Sequence, residues 1–338
     1  MKKLISLICV LAMVLALAAC GSSAPAAATE APAASTEAPA EDVSADKTFV
    51  VGICQLVQHP ALDAATQGFK DALTEALGDK VTFQEQNASG DSATCSLICN
   101  QFVSDEVDLI MANATASIQA AASATNTIPI LGTSITDYGV ALGVDNWTGV
   151  SGTNISGTSD LAPLDGQAAM IQELFPDAKT IGLLYCSGEP NSIFQADSME
   201  ALLTDMGYSV ERYTFADSND VSSVTANACS NSDVLYIPTD NTAASCTEAI
   251  NNVALSAGIP IVAGEEGIAS GCGAATLSIS YYDLGRETGE MAAEILTEGA
   301  DVSTMEVRFA PAFTKEYNAD ICEALNITVP EDYVAIAK

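Results

Sequence analysis

The apolar run Phe49-Val50-Val51-Gly52-Ile53-Cys54 breaks into a polar loop, Gln55 to His59, and apolar positions then resume beyond Pro60 at Leu62, Ala65, Phe69, Leu73 and Leu77. A short continuous apolar run predicts a buried strand, and spacing of three to four predicts one face of a helix. Proline suits the first helical position, where its missing N–H has no partner to lose. The pattern recurs. Lys47 to Cys54 is echoed by Lys179 to Cys186, and Asp108-Leu109-Ile110-Met111 running into Asn113 to Ser117 by Asp233-Val234-Leu235-Tyr236 running into Asp240 to Ser245. Ile128-Pro129-Ile130 returns as Ile259-Pro260-Ile261. Three matches in one order predict two similar lobes, each a doubly wound α/β unit in which strands alternate with helices.

Between these anchors, Val81 to Glu85 alternates as a strand and Ser92 to Ser104 is helical through Cys95, Ile98, Cys99 and Phe102. Thr133 to Asp137 follows the strand Ile128 to Gly132 as a polar loop. The Gly-, Asn- and Thr-rich stretch Val144 to Asn154 reads as the first crossing between lobes, with Trp147, the single tryptophan, placed to report closure. In the second lobe a helix through Leu164, Ala168, Ile171 and Leu174 precedes the strand Thr180 to Tyr185. The loop Cys186 to Ser192 then matches the Gln55 to His59 loop in position, and strands follow at Tyr208 to Phe215, Val234 to Ile237 and Ile259 to Val262. Tyr281 starts a long helix, and a strand near Val307 and a short helix from Ala319 to Leu325 finish the chain, which recrosses between lobes. The expected boundaries are 47–155 with 281–316 for the first lobe and 156–280 with 317–338 for the second.

In open α/β sheets ligands bind in loops at the carboxyl ends of strands. Those loops carry Gln55 and His59, the only histidine. The helix start Asn113 to Ser117 offers N–H groups and hydroxyls to an anion, or is plainly N-capped. Glu265 and Glu266 at a strand end suit an ammonium group or form a solvated acidic turn. Tyr281 and Tyr282 stack on an apolar ligand or pack in the core.

With 11 Lys and Arg against 44 Asp and Glu, the formal charge of −33 argues against nucleic acid and anionic membranes. Met1-Lys2-Lys3 followed by apolar Leu4 to Ala19 has the form of a secretory signal, too short for a membrane span. It ends in Leu17-Ala18-Ala19-Cys20-Gly21, which resembles a bacterial lipobox with Cys20 as the lipidated residue of segment 1–20. Segment 21–46, rich in Ala, Pro, Ser, Thr and Glu, reads as a disordered tether. Eight further cysteines follow. Cys95 with Cys99 is the easiest disulfide to propose in an exported protein, but apolar settings favour free buried thiols. No spacing matches a zinc motif, and neither metal nor cofactor is expected.

Taken in order, Val51 to Gln55 with His59 to Asp63, Asn146 to Ser151, Tyr185 to Ser192, Pro238 to Thr242, Glu265 to Gly267 and Tyr281 to Gly285 resemble the ABC-transporter substrate-binding lipoproteins, in the branch assigned to tryptophan, tyrosine or phenylalanine uptake. The resemblance implies a type I periplasmic-binding-protein fold, two lobes joined by three crossings that close on a solute. It implies cleft positions for Gln55, His59, Thr115, Thr133 and Ser134 from one lobe, and for Ser187, Asn191, Ser192, Asp240, Asn241, Glu265 and Glu266 from the other. Cys186 stands where Asn is more usual. The partners implied are an amino acid, a permease with its ATPase, and the membrane through lipid on Cys20, with the protein a monomer. A nucleoside or sugar binder on the same fold is an alternative. An exported hydrolase using Cys54 or Cys186 with His59 is a third reading, from another class.

Overall fold

The computed structural model describes residues 47–337; the signal segment, Cys20 and the tether lie outside the described residues. The strands are β1 (Phe49–Gln55), β2 (Val81–Asn87), β3 (Leu109–Asn113), β4 (Ile130–Ile135), β5 (Ile155–Ser159), β6 (Thr180–Cys186), β7 (Ser209–Phe215), β8 (Val234–Ile237), β9 (Ile261–Ala263), β10 (Ala275–Ser278), β11 (Arg308–Phe309), β12 (Thr314–Tyr317) and β13 (Val334–Ala335). The α-helices are α1 (Pro60–Leu77), α2 (Ser92–Ser104), α3 (Thr115–Ala124), α4 (Tyr138–Leu142), α5 (Leu164–Leu174), α6 (Pro190–Asp205), α7 (Val221–Asn231), α8 (Asn241–Ser245), α9 (Thr247–Ala257), α10 (Glu266–Cys272), α11 (Tyr281–Glu298) and α12 (Ala319–Ala324).

The strands form two sheets, ordered β11-β5-β4-β3-β1-β2 and β13-β12-β10-β9-β8-β6-β7. The run β2-β1-β3-β4-β5 has the same order as β7-β6-β8-β9-β10, so the sequence repeat is a repeat of topology. Among the described residues only β12, antiparallel to β10, departs from parallel pairing. Each lobe is therefore doubly wound, and its strand order reverses beside β1 or β6, where ligand crevices form.

Period-two alternation puts helices on both faces of each sheet. Val51 and Ile53 of β1 pack with Phe69, Met111 and Met291 on the α1 and α11 side. On the other face, Cys54 packs with Ile98, Phe102 and Ile118 of α2 and α3. In the second lobe, Leu183 and Tyr185 meet α5 and α6 through Ile171, Ala196 and Met199, while Leu184 and Cys186 meet α7 and α9 through Ala228 and Ile250. Each large apolar side chain buried this way stabilises the fold by about 1.5–3 kcal/mol. Helices α1 and α11 approach backbone to backbone, since a Cβ on Gly285 would lie 2.0 Å from the Ala65 carbonyl oxygen and one on Gly68 would lie 2.0 Å from that of Tyr282. This contact fixes two helix starts together, and both belong to the site.

The chain passes between sheets after β5, after β10 and after β11. The stretch Val144 to Asn154, expected as the first crossing, precedes β5 and packs inside the first lobe. Trp147 stacks on Tyr138 with ring centroids 5.8 Å apart, and the Ile130 N–H donates to the Asn154 carbonyl at 2.8 Å. The crossing comes later, at Asp160 to Pro163. Sheet membership extends the first lobe to Ser159 and begins the final return at Thr314.

Candidate functional site

The loops after β1, β3 and β4 face those after β6, β8 and β9, and hydrogen bonds join the two lobes there, Gln195 Nε2 donating to Thr136 Oγ1 at 3.4 Å. His59 Nε2 lies 3.3 Å from Asn241 Oδ1, and the Thr136 and Thr239 hydroxyls are 3.3 Å apart. Between the lobes lies a cavity of about 20 Å³ walled by residues that include His59, Ser134, Asp160, Asn191, Asp240, Glu265 and Tyr281. Space of this size holds roughly one water, so the lobes are in contact at this point of the cleft.

Three buried polar atoms on this wall have no hydrogen-bond partner: His59 Nδ1, Ser134 Oγ and Asp160 Oδ1. Leaving such groups unpaired costs about 1–3 kcal/mol each. Their roles follow from their neighbours. The Asn241 amide nitrogen donates to Glu189 Oε2 at 2.7 Å, so its oxygen faces His59 and Nε2 carries the imidazole proton. Burial lowers the His59 pKa, which keeps the ring neutral and makes Nδ1 an acceptor. Asp160 Oδ2 accepts from Tyr281 Oη at 2.9 Å, leaving Oδ1 as a second free acceptor. Ser134 supplies a hydroxyl and is held at φ 57°, a conformation uncommon for a residue with a side chain. Two acceptors and one hydroxyl thus converge on one enclosed volume.

The other carboxylates of this wall are occupied by backbone. Asp240 caps α8 through the Ala243 N–H at 2.7 Å and also accepts from the Cys186 N–H at 2.6 Å. Glu265 caps α10 through the Gly267 N–H at 2.6 Å and the Ile268 N–H at 2.5 Å. Burial pushes Asp160 up to about 6 and Glu265 up to about 7. Burial, then repulsion from Glu189, raises Asp240.

Other expected site residues lie elsewhere. Gln55 is turned into its own lobe, donating to Asp63 Oδ1 and accepting from Thr66, both at 2.6 Å. Thr133 sits behind the wall, accepting from the Thr158 hydroxyl at 3.2 Å. Ser187 is exposed and donates to the Phe215 carbonyl at 3.2 Å. Ser192 is buried against Asp240 and Asn191. Glu266 is half-buried and off the cavity wall, near enough to Glu316 to raise that residue's pKa after burial has done so. Tyr281, by contrast, is on the wall and donates its hydroxyl to Asp160. Thr115 lines a second, larger cavity of about 390 Å³, whose wall includes Leu56, Val57, Ala116 and Pro190 and shares Asn191 and Asn241 with the first. Asp160, Thr136 and Thr239 were not among the expected site residues.

Residues 50–338 match the family model for ABC transporter substrate binding proteins. The chain belongs to that family. It is 38% identical over 280 residues, 82% of this chain and 81% of the relative, to a tyrosine-binding protein of Clostridioides difficile. An ABC domain in complex with L-Trp from Streptococcus pneumonia superposes with a TM-score of 0.80 at 31% identity, covering 84% of this chain and 97% of that one. The ligand-free, open structure of a substrate-binding protein with adhesive properties from Clostridium difficile scores 0.66 at 38% identity, over 86% and 99% of the two chains. The open relative is nearer in sequence yet fits less well, which follows when the lobes here are drawn together by the His59–Asn241 and Thr136–Thr239 bonds. The fold is that of the type I periplasmic binding proteins. In this family the cleft between lobes takes a solute, and the role is in transport rather than catalysis. Cys54 Sγ is bonded to Ser117 Oγ at 3.7 Å and Cys186 Sγ to the Ala216 carbonyl at 3.6 Å, so neither thiol is spent on His59.

Proposed function

We propose that this chain is an exported lipoprotein, anchored through Cys20 on the outer face of the cytoplasmic membrane, that captures an aromatic amino acid between its lobes and hands it to an ABC permease and its ATPase. The convergence of Asp160 Oδ1, His59 Nδ1 and Ser134 Oγ carries the reading. An ammonium group has N–H donors for both acceptors, and its charge pairs the otherwise uncompensated Asp160. The Ser134 hydroxyl donates to the ligand carboxylate.

The ligand side chain takes the direction of the larger cavity, whose apolar wall is Leu56, Val57, Ala116 and Pro190. The names of the tyrosine-binding and L-Trp-bound relatives support an aromatic group there. Binding displaces the cross-cleft contacts of His59 and Asn241 and replaces them with contacts to the solute, a closure of hinge type.

Thermal-shift titration of the protein with L-tyrosine, L-tryptophan and L-phenylalanine, beside nucleosides and sugars, tests this. Stabilisation follows RT ln(1 + [L]/Kd) for a ligand of the native state. An upward shift from an aromatic amino acid supports the reading. A shift from nucleosides or sugars alone replaces it with the second binding class.

A further inference from the structure

The first lobe brings three cysteines to one point. Cys54, next to last in β1, and Cys95, in the first turn of α2, lie with their sulfurs 3.7 and 3.6 Å from the same Ser117 hydroxyl. Both are free, buried thiols, and Cys99, one turn along α2 from Cys95, lies near enough to Cys54 to bias its ionisation. All three side chains are 0% exposed. We propose that Cys54 and Cys95 are a disulfide-forming pair, oxidised while the exported chain folds, which ties strand β1 to helix α2 behind the ligand loops.

Cys95 is chosen over Cys99 as the partner of Cys54 because it shares the Ser117 hydroxyl with Cys54, and the loop that each bond closes decides against Cys95 with Cys99. Linking Cys95 to Cys99 closes a single helical turn and restricts the unfolded chain little. Linking Cys54 to Cys95 closes a loop of roughly 40 residues and removes far more unfolded-state freedom. Location adds a second argument, because β1 leads directly into the loop bearing His59, and Ser92 at the start of α2 lines the larger cavity. The nearby Cys54 thiol, together with burial, raises the Cys95 pKa, and the thiolate is the attacking species in exchange. The folded thiols are therefore inert, and the bond forms before α2 docks on the sheet.

The oxidant is a disulfide-bearing compound, either an extracytoplasmic dithiol oxidoreductase or oxidised glutathione. One protein thiolate attacks the oxidant's S–S bond and expels a thiolate. The second protein thiolate attacks the resulting mixed disulfide, forming Cys54–Cys95 and expelling the other. Two protein thiol protons end on the oxidant's two thiols, and two electrons pass to it.

The test refolds the full chain from denaturant in a glutathione redox buffer, blocks free thiols with an alkylating agent and maps cross-linked peptides without reduction. The expected product joins the Cys54 peptide to the one carrying Cys95. That link is lost in Cys95→Ser and retained in Cys99→Ser. Oxidised wild type should melt roughly 5–10 °C above the reduced form. Mapping on wild type alone needs no variant to fold. Complete alkylation of Cys54 and Cys95 after refolding, or a link joining Cys54 only to a cysteine other than Cys95, overturns the proposal.

Discussion

Tyr281 Oη donates to Asp160 Oδ2 at 2.9 Å, joining two of the three passages of the chain between lobes. Asp160 is the first residue after β5, and Tyr281 opens α11 just after β10. The carboxylate that offers its free oxygen to the cleft is thus held by the hinge itself. A ligand cation seated there bonds to the part of the molecule that must move least during closure, and both lobes can close on it.

Replacing Asp160 with Asn keeps the shape and removes the charge. Affinity for an amino acid should fall by about 2–3 kcal/mol, roughly 30- to 150-fold in Kd, the value of a hydrogen bond to a charged group. The melting temperature of the free protein near pH 7.5 should stay level or rise, because a buried, unpaired charge has been removed. Calorimetric titration and thermal unfolding of the same variant separate these effects.

Affinity and stability should respond to pH in opposite directions. Asp160 is raised to about 6 and Glu265 to about 7 in the folded protein, against about 3.9 and 4.3 in an unfolded chain. Between those values the folded state binds more protons, so their contribution to stability falls as pH rises from about 4 to about 7. Binding of a cation needs Asp160 ionised, so affinity should rise through pH 6, weakening about tenfold per unit below it. Titrations between pH 4.5 and 8 check the slope, and Asp160→Asn should flatten it.

Adding one methyl group at Gly285 forces α11 away from α1, since the Cβ would meet the Ala65 carbonyl oxygen at 2.0 Å. Gly285→Ala should cost about 1–3 kcal/mol or more in denaturant unfolding. It should also weaken ligand binding, because His59 and Tyr281 stand at the starts of these two helices.

Ala114, between β3 and α3, is held at φ 87° and ψ 162°, a region that favours glycine. Ala114→Gly should raise stability by about 1 kcal/mol, the released strain outweighing the greater freedom of glycine in the unfolded chain. Unfolding midpoints of the two proteins measure it.

The doubly wound order was legible because the strands around β1 and β6 are continuous apolar runs repeated in one sequence order. His59, Ser134, Asn191, Asp240, Asn241, Glu265 and Tyr281 were legible as polar residues at strand ends or helix starts. Asp160 was not, and the reason is β5. Its sequence, Ile155-Ser156-Gly157-Thr158-Ser159, has no apolar alternation, yet it is buried, with the Thr158 hydroxyl bonded to those of Thr133 and Thr288 at 3.2 and 2.8 Å. A strand that satisfies its burial through hydroxyl pairs looks like a loop, and the Gly-rich stretch before it looks more like a crossing than the true one at Asp160 to Pro163. Gln55 does stand at the end of β1, but Thr66 and Asp63 of α1 take both ends of its amide, which pattern alone does not show.

The most direct measurement is calorimetric binding of L-tyrosine and L-tryptophan beside their analogues lacking the α-amino group. At least one amino acid should bind, and loss of its ammonium should weaken binding by roughly 30-fold or more, a difference erased by Asp160→Asn. Equal binding of the deaminated analogue, or binding of neither amino acid, would contradict the assignment of Asp160, His59 and Ser134 to an amino-acid head group.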